Sequence, residues 1–65
     1  MRTLATSSTI EGLTRLVNEF FYSKGYKLET LANKNIILNE QDEPLKDFTW
    51  IIKNKRYYFK TLKKD

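Results

Sequence analysis

Neither cysteine nor histidine occurs in this 65-residue chain. Without cysteine no disulfide can staple the fold, and nothing marks an oxidising compartment. Without either residue the usual zinc ligands, the thiolate nucleophile and the commonest general base are all missing. Glycine is scarce at two residues, and proline occurs once. Gly12 and Gly25 stand apart, so no glycine-rich loop is available to cradle a phosphate. Apolar runs such as Ile36-Ile37-Leu38 fall far below the ~20 residues of a membrane span. Residues 1–7 lack the charged start and long apolar stretch of a signal peptide. Together these absences predict a cytoplasmic protein with no cofactor and no membrane partner. They also argue against an enzyme: Ser7, Ser8 and Ser23 have no histidine base, and a lysine base needs desolvation to work near neutral pH.

The length allows one domain with a thin core, since a chain of this size buries only about 60% of its unfolded surface. The formal net charge of +4 is unevenly spread. Residues 40–47 (EQDEPLKD) set one lysine against four acids, and residues 48–65 set six cations against Asp65. The acidic stretch reads as a solvated loop. Asp42, Glu43 and Asp47 lack the Asp-x-Asp-x-Asp-Gly order of a calcium loop, so no metal is assigned to them.

The basic stretch, Phe48 to Leu62, reads as a hairpin turning at Asn54-Lys55. That register sets Lys53 opposite Arg56, Ile52 opposite Tyr57, Ile51 opposite Tyr58 and Trp50 opposite Phe59. Period-two alternation then puts Phe48, Trp50, Ile52, Tyr57, Phe59 and Thr61 on one face. The other face carries Thr49, Ile51, Lys53, Arg56, Tyr58 and Lys60. The first is apolar and belongs in the core; the second is cationic around an aromatic ring.

Upstream, residues 1–7 show no period and read as a mobile arm. Ser8-Thr9-Ile10-Glu11 fits a capping box with Ser8 as the cap. A helix of about sixteen residues is expected from about Thr9 to Lys24, ended by Gly25 in the left-handed conformation. Its apolar arc holds Ile10, Leu13, Leu16, Val17, Phe20 and Phe21. Tyr22 and Asn18 fall on the polar side. A second hairpin follows, with Leu31 pairing Asn35 across a three-residue loop and an inner face of Tyr26, Leu28, Ile36 and Leu38. Residues 63–65 form a solvated tail. The predicted fold is α+β, one N-terminal amphipathic helix on an antiparallel sheet of about four strands. Residues 8–62 make its single compact domain.

The outer face of the central hairpin is the candidate site. Lysine and arginine neutralise phosphates, and a flat ring stacks on a base, so Lys53, Lys55, Arg56, Tyr58 and Lys60 point to DNA or RNA. Arg56-Tyr57-Tyr58-Phe59-Lys60 lacks the small residues of the RNA-recognition consensus. In layout alone, a helix and two hairpins with a basic aromatic sheet resemble small DNA-binding domains that read DNA with a sheet. The alternatives are a solvated face whose lysines keep an edge from aggregating, and a protein-interaction surface using Tyr22 or Ile51.

Overall fold

A computed structural model describes residues 1–63; Lys64 and Asp65, assigned above to the tail, lie outside the described residues. The elements run β1 (Arg2–Ser7), α1 (Ile10–Phe20), β2 (Lys27–Leu31), β3 (Lys34–Leu38), β4 (Phe48–Lys53) and β5 (Arg56–Thr61). The class is α+β, as the sequence predicts. Among the described residues the strands number five rather than four, in an antiparallel sheet ordered β1-β5-β4 and a separate β2-β3 hairpin.

The additional strand is β1, which stands where a mobile arm was expected. Its partner is β5, with Thr3 opposite Lys60, Ala5 opposite Phe59 and Thr6 opposite Tyr58, and a bulge at Leu4. The β4-β5 register matches the sequence prediction pair by pair, from Phe48 opposite Thr61 to Lys53 opposite Arg56. Asn54 and Lys55 both take positive φ, 52° and 62°, as a type I′ turn requires.

The second hairpin departs from its expected register. Leu31 pairs Lys34, and a two-residue turn uses Ala32 and Asn33 at φ of 49° and 64°. Leu28 therefore faces Ile37, and Ile37 is fully buried where Ile36 and Leu38 were expected to be. The strand Lys34–Leu38 has three apolar residues in a row, so alternation alone does not choose its inner face.

Helix α1 starts one residue later than the capping box implies. Thr9, not Ser8, is the cap, and its hydroxyl accepts from the Gly12 amide at 3.0 Å. Gly12 is needed there: an added Cβ would overlap Ser7 Oγ and lie 2.9 Å from Thr9 Oγ1. Thr9→Ala is expected to cost about 0.5–2 kcal/mol, and Ser8→Ala to stay within about 0.5 kcal/mol of the parent; paired thermal melts check both. The helix also ends early, at Phe20. Tyr22 takes the left-handed position (φ 52°) in place of Gly25. The Ser23 amide donates to Asn18 O at 2.9 Å and the Tyr22 amide to Glu19 O at 3.2 Å, the two bonds of a Schellman stop.

Asn18 is half-buried rather than solvated. Its amide nitrogen donates to Thr14 O and Tyr26 O, and its Oδ1 accepts from the Tyr26 amide at 2.8 Å. One side chain thus satisfies both backbone groups of the residue that leads into β2. Asn18→Ala leaves them unpaired and is expected to cost about 1–3 kcal/mol, read as a shift in the urea midpoint.

The core joins Leu13 and Val17 of α1 to Ile37, Trp50 and Phe59. The helix packs on β1, β5 and β2. It does not roof the far end of β4, so Ile52, expected inside, is 54% exposed. Phe20 is also partly exposed, although its ring meets Phe21, Phe48 and Phe59 edge-on. Leu16 is half-buried rather than central. The second hairpin joins β4 through side chains. Thr49 Oγ1 donates to Asn35 O at 2.8 Å, and Trp50 Nε1 donates to Ile36 O at 2.9 Å and Glu29 O at 3.2 Å.

Candidate nucleic-acid interface

The face of the β1-β5-β4 sheet away from α1 is set by the β4-β5 register. Every inner-face ring of β4 and β5 that meets α1 forces its neighbours outward, because successive side chains alternate. Phe48 and Phe59 meet the helix rings Phe20 and Phe21. Thr49, Ile51, Lys53, Arg56, Tyr58 and Lys60 therefore share the opposite face.

Four of these gather tightly. Ile51, Lys53, Tyr58 and Lys60, with Thr3 and Asn54, line a shallow depression of about 290 Å³. Ile51 and Tyr58 are direct cross-strand partners at its floor. The Lys60 ammonium stands 5.9 Å from the centre of the Tyr58 ring, within cation–π range. It also donates to Thr3 Oγ1 at 2.9 Å. Arg56 donates from Nε to Thr6 Oγ1 at 2.9 Å, which leaves the Nη groups of its fork outside that bond. Thr6 in turn donates to Tyr57 O. Lys55 sits at the hairpin tip, exposed, rather than on the face itself.

Strand β1 thus adds two residues that the sequence reading missed, Thr3 and Thr6. They hold Lys60 and Arg56 by their hydroxyls and keep both long side chains over the sheet. The only signal for them was a pair of β-branched residues in a six-residue stretch, which is weak.

The nearby acids are engaged elsewhere. Asp42 pairs with Lys27 at 3.0 Å and Asp47 with Lys63 at 3.9 Å. Neither of these ion pairs involves Lys53, Lys55, Arg56 or Lys60. The acidic loop is organised by Asn39, whose Oδ1 accepts from the Gln41 and Glu43 amides.

Tyr22 belongs to a different surface. It is 98% exposed at the end of α1, beside a groove of about 590 Å³ lined also by Arg15, Asn18, Glu19, Ser23 and Lys24. None of those residues lines the sheet-face depression, so Tyr22 and Ile51 do not form one contact area.

Comparison with protein-family models, with curated proteins and with solved structures finds no match for this chain. The functional reading therefore stands on the residues of the sheet face.

Proposed function

We propose that this domain is a small non-catalytic module that binds nucleic acid through the outer face of the β1-β5-β4 sheet. The observation that supports it is the flat Tyr58 ring flanked by Lys60 and Lys53 over one depression. Phosphates are neutralised by the cations while a base lies against the ring. A cytoplasmic location goes with this reading. Among the described residues, no helix is long and apolar enough to cross a membrane.

Non-specific contacts of this kind give dissociation constants of roughly 10⁻⁴–10⁻⁶ M. The test is an amide-shift titration with a short oligonucleotide at low salt. Shifts are expected at Ile51, Lys53, Arg56, Tyr58 and Lys60. No shifts, or shifts confined to residues 40–47, would overturn the reading. Tyr58→Ala is expected to weaken binding by about 1–3 kcal/mol, the usual worth of one stacked base.

A protein partner is the second reading, and Tyr22 favours it. A fully exposed aromatic ring held by a left-handed backbone is strained, since non-glycine residues rarely adopt that conformation. Such strain often accompanies a functional position. A partner seated there leaves Tyr58→Ala without effect and responds to Tyr22→Ala.

A further inference from the structure

We infer that the ligand of this face is single-stranded, and that the sheet holds two successive bases rather than one. This rests on the nucleic-acid reading above and deepens it. The observation is a second depression of about 360 Å³ beside the first, with Met1, Lys34, Thr49, Ile51 and Leu62 among its lining residues. Ile51 lines both depressions. Its cross-strand partner Tyr58 belongs to the first, and Thr49, two residues along β4, belongs to the second. Two residues of strand span about 6.8 Å at ~3.4 Å each. That step suits adjacent bases of an extended, unstacked strand.

The two depressions differ in chemistry. The first offers a ring and ammonium groups. The second presents chiefly apolar surface, with Met1 76% and Leu62 46% exposed. Apolar side chains left open to water beside cations have little to offer a phosphate. They match the π-face of a base, which is flat, poorly hydrated and covalently tied to a phosphate one bond series away. Lys34 also lines this second depression and supplies the cation for that phosphate. Along the strands the order runs Leu62, then Thr49 with Lys60, then Ile51 with Tyr58, then Lys53.

A duplex does not fit this layout. Its base faces are stacked inside and its exterior presents phosphates, so the apolar surface stays wet and unused. The geometry assigns a single strand with one base on Tyr58 and its neighbour over Thr49, between Ile51 and Leu62.

The experiment compares a short oligothymidylate with a blunt duplex of the same length, by fluorescence anisotropy at several salt concentrations. The parent protein is set beside Leu62→Ser, Lys34→Gln and Arg56→Glu/Lys60→Glu. Leu62 makes its bond to Asp47 O through its backbone amide, so the serine variant keeps it. The oligothymidylate is expected to bind more tightly than the duplex. Leu62→Ser is expected to weaken it about five- to tenfold, as loss of apolar contact implies, and to leave the duplex unchanged. Lys34→Gln is expected to flatten the single-strand log–log salt slope by about 0.7. A duplex bound as tightly as the strand overturns the single-strand assignment. Strand binding that survives Leu62→Ser and Lys34→Gln but is lost in Arg56→Glu/Lys60→Glu overturns the second base site and leaves the basic-face reading standing. Failure of the parent to bind either probe overturns both.

Discussion

Trp50→Ala is expected to leave this domain at the edge of unfolding at room temperature. Trp50 is 4% exposed and packs with Leu13, Val17, Ile37 and Phe59. Truncating a buried tryptophan costs about 3–5 kcal/mol through lost contacts and the cavity left behind. The indole does more than fill space. Its N–H is shared by the carbonyls of Glu29 and Ile36, one from each strand of the β2-β3 hairpin. Glu29 and Ile36 are cross-strand partners in that hairpin, so removing the indole takes away a bridging second donor, at about 0.5–1.5 kcal/mol, rather than their ladder bonds. A 65-residue domain rarely has more than about 3–5 kcal/mol of stability to lose. Urea unfolding followed by far-UV circular dichroism measures the effect. Trp50→Phe separates its parts: the ring stays, the donor goes, and a smaller loss is expected. An alanine variant that melts with the parent shows that the indole does not join the two sheets. Native fluorescence gives a second check, because a buried indole emits to the blue of one in water.

Arg56→Glu/Lys60→Glu is expected to abolish oligonucleotide binding at low salt, a loss of at least about a hundredfold. Each reversal removes a phosphate contact and adds repulsion. A face making three such contacts gives a log–log salt slope of about −2 to −3, which should collapse toward zero. The structure adds a control. Both side chains are tied to β1, Arg56 through Thr6 and Lys60 through Thr3, so the double variant also loosens that edge. A modest fall in melting temperature is therefore expected alongside the loss of binding. Lys53→Glu/Lys55→Glu reverses the same number of charges on side chains that hold no strand in place. It should weaken binding steeply with an unchanged melt. Binding that persists in both pairs removes the basic face from consideration.

The central hairpin was legible because two signals agreed. Asn54-Lys55 marked a two-residue turn, and the flanking rings alternated cleanly with cations. The β2-β3 hairpin gave neither signal. Ala32 is a poor candidate for positive φ, and Ile36-Ile37-Leu38 is apolar on both faces, so tertiary packing against Trp50 selects Ile37. The Asn-Lys pair recurs in both turns but one position out of phase: Asn33 is the second turn residue of its hairpin and Asn54 the first of its own. At the end of α1 a glycine stood three residues past the true stop, and Tyr22 took the conformation that Gly25 was expected to supply. Strand β1 was illegible because its pairing is wholly long-range: Arg2-Thr3-Leu4-Ala5-Thr6-Ser7 becomes a strand only beside β5. Half the support of the candidate site came with it, which is why Thr3 and Thr6 were not found.

That same pairing sets a timetable for synthesis. Thr3 and Lys60 are 57 residues apart in the chain and meet across one ladder. Helix α1 and both hairpins join near neighbours and can form as soon as each is made, since such local events take microseconds. Strand β1 is made before β5 and cannot form its ladder until β5 follows. At 5–20 residues per second the interval is roughly 3–11 s. The threonines that hold Arg56 and Lys60 reach their places only at the end of that wait. Until β5 is made the chain carries lysines and arginines but no assembled face, so the surface itself is a product of the β1-β5 pairing.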